Sequence, residues 1–249
     1  MKGIAILGAT GGLGEAIASR LAKRNPVTIG FVRNKDKATA LAAQIEKNGG
    51  SANICAVDLR DGASVTNFID RAAQQWNGLE AIVSATGPAI PLCPLSEVTE
   101  DDFRRIYDTD VFGAFNVLRH GSAVLKETGG GSIVLLLTTA VLRTLENDGM
   151  SGGPKSAVAA LMKQMAREMG AHNVRCNGVA PGVIDAGIVH SSFEINQVAK
   201  AVITDCMNKT PLGRMGQPHE VAALVDFLTS ADAAYISGQV IAVDGGYSA

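Results

Sequence analysis

Gly3-Ile4-Ala5-Ile6-Leu7-Gly8-Ala9-Thr10-Gly11-Gly12-Leu13-Gly14 is the stretch that decides how this chain folds. Its apolar opening reads as a buried strand, and Leu13, Ile17 and Leu21 recur at spacing four as one face of the helix that follows. The glycines lie at the join. Gly8 lets the strand turn sharply, Gly12 lets backbone N–H groups approach a phosphate with no side chain in the way, and Gly14 lets the helix pack close to the strand. Helix N-termini favour anions, and a second strand, Val27-Thr28-Ile29-Gly30-Phe31, follows closely enough to complete a βαβ unit. The stretch therefore reads as a dinucleotide pyrophosphate site rather than a Gly-rich turn with no ligand.

Working outward, the 249 residues suit one α/β domain spanning 1–249, with the cofactor loop at 7–14. A formal net charge of −2 and the absence of any run of like charges give no electrostatic reason to expect nucleic acid or an anionic membrane. Small-molecule work is the expectation. Aromatic residues make up only 4% while Ala, Gly, Val, Ile and Leu dominate, as parallel strands covered on both faces require. Cys55, Cys93, Cys176 and Cys206 show neither C-x-x-C spacing nor a metal pattern and read as small core hydrophobes in a reducing compartment. The longest apolar runs fall short of a membrane span and the N-terminus enters a strand at once, so a soluble, cytoplasmic protein is expected.

Strands then alternate with helices. A polar helix over 37–47 ends at Gly49-Gly50, a strand over 52–57 closes on Asp58-Leu59, and a helix over 65–76 leads to the strand Ala81-Ile82-Val83-Ser84 and the loop Ala85-Thr86-Gly87-Pro88. A long helix over 102–126 precedes the apolar strand 132–137, which ends in Thr138-Thr139. An irregular loop through Met150 gives way to a helix over 154–170 with Ala157, Leu161 and Met165 on one face. The strand 174–179 runs into Ala180-Pro181-Gly182-Val183-Ile184-Asp185, residues 186–213 read as a substrate lid, and a helix over 219–228 precedes a last strand near Val240. Seven strands without linker or repeat give a doubly wound, seven-stranded parallel sheet. Asp58, at the carboxyl end of its strand, either accepts from an adenine amino group or caps the next helix.

The glycine loop, the Asp58-Leu59 strand end, Asn177-Gly178-Val179-Ala180-Pro181-Gly182, and the run from Gly213-Arg214-Met215-Gly216-Gln217-Pro218 to Val243-Asp244-Gly245-Gly246 together resemble the short-chain dehydrogenases/reductases over nearly the whole chain. The resemblance implies a Rossmann-type sheet, a homodimer or homotetramer, and cofactor contacts from Leu13, Leu59, Ala85, Gly87, Pro181, Gly182 and Ile184 beside Gly8 and Gly12. It also implies a tyrosine that exchanges a proton, a lysine four residues on that lowers the tyrosine's pKa and holds the nicotinamide ribose, a serine that orients the substrate oxygen, and a helix asparagine that supports a water relay. Anchored on Lys155-Ser156-Ala157-Val158-Ala159-Ala160, those places fall on Ser151, Lys155, Thr138 and Asp110. Only the lysine is kept. Ser84-Ala85-Thr86-Gly87 also departs, standing where Asn-Asn-Ala-Gly is usual.

The substitutions have physical consequences. An aliphatic hydroxyl is a far weaker acid than a phenol, so Ser151 either donates a hydrogen bond or simply ends the loop before Pro154. Thr138 keeps a hydroxyl. Asp110 either forms an ion pair with Lys155, drawing it off the ribose, or stays protonated when buried. Tyr107, three residues before Asp110, either lends a phenol or packs as an ordinary aromatic, and His190 in the lid is either an acid near neutral pH or a surface residue. A serine in the tyrosine place resembles the 2,4-dienoyl-CoA reductases, but near Ala140, where that branch has its own tyrosine, none stands. The second strand ends Phe31-Val32-Arg33-Asn34-Lys35 with no acid before Asp36, so NADP(H) is expected over NAD(H), with Arg33 on the 2′-phosphate and Thr10 helping. The resulting expectation is an NADP(H)-dependent oxidoreductase acting on a small carbonyl or conjugated enone, acyl-linked or free, and the alternative is a redox-silent nucleotide sensor, partner subunit or non-redox catalyst.

Overall fold

β1 (Gly3–Leu7) is buried throughout and divides its side chains between two cores, Ile4 and Ile6 into one and Ala5 and Leu7 into the other. That period of two is what a strand covered on both faces requires. The computed structural model describes residues 1–186 and 197–249. Among them β2 (Val27–Phe31), β3 (Ala52–Ala56), β4 (Leu79–Ser84), β5 (Gly131–Leu136), β6 (Val174–Pro181) and β7 (Val240–Val243) complete one parallel sheet in the order β3-β2-β1-β4-β5-β6-β7. The order reverses between β1 and β4, and a crevice at the carboxyl ends of those two strands is where such sheets take ligands.

On one face α1 (Gly12–Leu21), α2 (Lys35–Lys47) and α8 (Pro218–Thr229) bury Ile17, Leu21, Leu41, Ile45, Val221 and Val225. On the other, α3 (Gly62–Gln75), α5 (Gly113–Glu127) and α6 (Gly149–Met169) bury Phe68, Ile69, Val117, Leu118, Val158 and Met162. Fully burying each large apolar side chain stabilises by roughly 1.5–3 kcal/mol. Sheet contact, more than helix propensity, therefore sets which helix face turns inward. α4 (Glu100–Tyr107) leads into α5, and α7 (Gln197–Asn208) lies between β6 and α8.

Four expectations change. The single helix over 102–126 is α4 and α5 joined by a π-helical turn, Asp108–Phe112. α6 begins at Gly149, five residues before Pro154, because the run that reads as a loop packs at its start, with Met150 and Pro154 buried. Its inward face is Val158, Met162 and Ala166, while Ala157, Leu161 and Met165 flank it half-buried. Cys55, Cys176 and Cys206 are buried, but Cys93 is only half-buried, and all four are free thiols. No helix among the described residues is long and apolar enough to cross a membrane.

Candidate active site

The glycine end is set by sterics. Gly8 turns out of β1 at φ +76°, a conformation that favours glycine, and a Cβ there would lie 2.6 Å from the Ala85 carbonyl oxygen. A Cβ on Gly14 would drive into the Gly8 carbonyl oxygen and lie 2.8 Å from the Ala9 Cα, so the first turn of α1 sits against the strand end with no room for a side chain. The Ala85 N–H donates to the Leu7 carbonyl (2.9 Å), which carries the loop after β4 alongside the glycine loop. Gly12 and Leu13 on one side and Ala85 and Gly87 on the other then open onto a cavity of about 560 Å³, the size of a ligand pocket.

The same cavity is lined by Pro181 at the end of β6 and by Gly182 and Ile184 beyond it, by Thr138 after β5, by Ser151 and Lys155 on α6, and by Asp110 in the π-helical turn. The structure thus brings together eleven of the residues singled out in the sequence. A glycine-bounded cavity at the sheet reversal, continuous with a lysine and two hydroxyls, fits a dinucleotide. Among the described residues no group of three His, Cys, Asp or Glu is placed to hold a metal ion.

Gly8, Thr10, Arg33, Asp58 and Leu59 lie outside the cavity lining. Gly8 is beneath it, and Arg33 is exposed just beyond β2, forming no ion pair among the described residues. Asp58 is held by its neighbour: the Arg60 guanidinium donates to both carboxylate oxygens (3.0 and 2.6 Å) and keeps the carboxyl below its ordinary range. Asp58 does not cap α3; Asp61 does, accepting from the Ala63 N–H at 2.9 Å. Leu59 is buried against Gly113. His190 lies outside the described residues, as does most of the first half of the expected lid; from the rest of that segment Ala186, Val202, Ile203, Cys206 and Thr210 line the cavity.

Lys155 and Asp110 form a buried ion pair. Nζ donates to Asp110 Oδ1 at 3.0 Å and to the Thr86 carbonyl at 3.0 Å, and the two side chains are only 13% and 3% exposed. An ammonium has three donors, so one N–H is left for a ligand. The π-helical turn that carries Asp110 is a rare irregularity that recurs at functional sites. Thr138 accepts from the Ala140 N–H at 3.3 Å and keeps its own proton for donation. Thr139, next to it, also lines the cavity, and its hydroxyl is committed to Asp244 Oδ2 at 2.7 Å.

Tyr107 does not line the cavity. Its ring stacks on Phe103 with centroids 4.3 Å apart. The phenol in the wall is Tyr247, from the C-terminal tail, 4% exposed under the Arg143 guanidinium, which lies 4.9 Å from the ring centroid and donates to the Tyr247 carbonyl at 2.7 Å. Burial pushes the pKa of its hydroxyl up. A second residue that sequence reasoning missed is Asp148, at the N-terminus of α6. Burial pushes its carboxyl up to about 7, the nearby Ser151 hydroxyl, which favours the charged form, acting against it. Asp148, Ser151 and Lys155 stand at i, i+3 and i+7, one stripe of one helix, and that spacing was the signal available.

A family model described as enoyl-(acyl carrier protein) reductase matches residues 8–248. A tropinone reductase homologue of Arabidopsis thaliana is 32% identical over 246 residues, 98% of this chain and 90% of that protein. The 7α-hydroxysteroid dehydrogenase of Escherichia coli is 29% identical over 246 residues, 97% of this chain and 92% of its own length. Among solved structures, a short-chain type dehydrogenase/reductase from Mycobacterium ulcerans superposes with a TM-score of 0.92 at 30% identity, over 99% of this chain and 90% of that one. 7α-Hydroxysteroid dehydrogenase complexed with NADH and 7-oxo glycochenodeoxycholic acid superposes with a TM-score of 0.87 at 29% identity, over 98% and 93%.

Proposed function

The chain belongs to the short-chain dehydrogenase/reductase family of oxidoreductases, and on that premise we propose that it reduces a small carbonyl or conjugated enone with NADP(H). The observation that carries this reading is one cavity joining the glycine cradle to Lys155, Thr138 and Ser151. When bound, the reduced nicotinamide supplies hydride. Lys155 has one N–H left for the nicotinamide ribose, the hydroxyls of Thr138 and Ser151 donate to the substrate oxygen, and Asp110 fixes the ammonium in place. Apolar lining from Leu92, Leu145, Val202 and Ile203 suits a substrate with a hydrocarbon body, and Ala186 and α7 bound that end as a lid would. A family description written for acyl-carried substrates supports an acyl-linked one.

NADP(H) is preferred over NAD(H) because Arg33 is exposed beside the end of β2 with no acid before Asp36, and a guanidinium pairs a 2′-phosphate in two hydrogen bonds. Phe103, Phe112 and Phe115 are exposed on α4, the π-helical turn and α5, and support a homodimer or homotetramer. Four free cysteines suit a reducing compartment such as the cytoplasm.

Calorimetric titration with NADPH, NADP⁺ and NADH, followed by a panel of ketones and enones, tests the reading. NADPH is expected to bind more tightly than NADH, Arg33→Ala to narrow that preference by about tenfold, and Lys155→Ala to weaken NADPH by about tenfold. Nucleotide binding with no turnover across the panel favours a redox-silent sensor or partner subunit, a role in keeping with a lysine already committed to Asp110 and Thr86.

A further inference from the structure

Asp148 occupies a position that ordinarily has another use. Aspartate at a helix N-cap accepts from the backbone N–H groups of the first turn, as Asp61 does for α3. Asp148 does not. Its backbone carbonyl takes the Ser151 and Gly152 N–H groups (3.1 and 3.2 Å), while its carboxyl makes no capping hydrogen bond. The residue is 9% exposed and lines the cavity, and its Oδ1 is sealed from solvent with no hydrogen-bond partner. A buried carboxylate left so poorly paired is costly, and the group relieves that cost by holding a proton.

We propose that Asp148 is the residue that delivers the proton to the substrate oxygen, in the place where a phenol is missing from α6. The inference rests on the oxidoreductase reading above. As the substrate carbon accepts hydride from the reduced nicotinamide, the C=O π pair moves to oxygen, and the O–H bond forms with the proton that Asp148 gives up. Asp148 is left as carboxylate and takes a proton back from water.

The electrostatics agree. Burial holds the Asp148 acid near neutrality, where a general acid is most effective. The N-terminus of α6 opposes this, but such an end is worth only about 0.3–1 kcal/mol to a charge, too little to reverse burial. The charged and titratable groups around the cavity are Lys155 on the same helix, Asp110 from the π-helical turn, Cys206 on α7 and Tyr247 on the tail, with Arg143 and Lys209 acting on Tyr247. Burial raises the Cys206 thiol and the Tyr247 phenol further above neutral pH, which makes each a weaker acid than Asp148.

Difference infrared spectroscopy across a pH titration, with Asp148→Asn as reference and Asp148→Ser as a second, reads the carboxyl without turnover. A protonated carboxyl that ionises near neutrality and is missing from both variants is expected. In NADPH-dependent turnover Asp148→Asn is expected to lower kcat by about 100-fold or more and to remove the decline of kcat above neutral pH, with the NADPH Kd unchanged. A wild-type Asp148 that is ionised throughout the acid range overturns the proposal. So does an Asp148→Asn enzyme as fast as wild type, or a rate lost in Tyr247→Phe instead. Wild-type protein that binds NADPH but reduces nothing removes the oxidoreductase reading, and the donor role goes with it; that outcome shows in the wild type alone.

Discussion

The glycine end of the cavity is made of backbone, whereas the α6 end is made of side chains. At the first, Gly8, Gly14 and the Ala85 carbonyl meet at distances that forbid a Cβ. At the second, Lys155, Asp110, Thr138, Ser151 and Asp148 share a wall whose backbone would accept other side chains. A backbone site is bound to the fold and cannot drift without unfolding it. A side-chain site can be rewritten while the sheet stays as it is, so a TM-score of 0.92 to a solved relative speaks for the sheet and not for the residues that line the α6 end.

The sharpest way to break this contrast is Gly14→Ala. With its methyl forced into the Gly8 carbonyl, the variant is expected to lose about 5 kcal/mol or more, comparable to the whole stability of many domains. Thermal denaturation would show it as a collapse of Tm or a failure to fold, and a near-normal Tm would refute the steric account. At the other end, Asp110→Ala leaves the Lys155 ammonium buried without its counter-charge and is expected to cost about 3–5 kcal/mol. Asp110→Asn, whose amide oxygen still accepts from Nζ, should cost only about 1–2 kcal/mol in urea titrations. Equal losses for the two would mean that charge plays no part.

Asp148→Asn sharpens the comparison from the opposite side, because it should stabilise. The folded carboxyl keeps its proton up to about pH 7, whereas the unfolded one releases it near its ordinary value of 3.8. Between those values the folded state binds the extra proton, so wild-type stability falls as pH rises through this window and the full penalty is present above it. Asp148→Asn removes that slope, gaining about 2–4 kcal/mol at pH 8 and nothing at the acid limit. Chemical denaturation at several pH values measures the difference, and parallel stability curves for the two proteins would show that Asp148 ionises normally.

The division between backbone and side chains also explains what was legible in the sequence. The strands and the glycine turn follow from apolar runs and glycine spacing, which act locally. The start of α6 does not, because Gly149, Met150, Ser151, Gly152, Gly153 and Pro154 have the composition of a loop and are held helical by packing. The Lys155–Asp110 pair was readable from two positions, but the π-helical turn beneath it was not, since nothing in Asp108–Phe112 marks a wider turn. Asp148 escaped because burial makes it unusual, and burial belongs to the assembled cavity. Tyr247 escaped because it lies far beyond α6 along the chain, in the tail after β7, and is brought in by Asp244, which accepts from the Gly246 and Ser248 N–H groups.

That arrangement of the tail governs when the protein becomes competent during its own synthesis. The wall of the cavity begins at Gly11 and closes at Tyr247, and each strand pairs in parallel with another reached through a helix. A nascent chain on the ribosome can lay down β1 to β5 and bury much of both cores, yet it lacks β7 and the Asp244 anchor until nearly all 249 residues have emerged. Partly made chains of such sheets expose unpaired strand edges. The site is therefore among the last things to form, and no fragment that stops before the tail contains all of it.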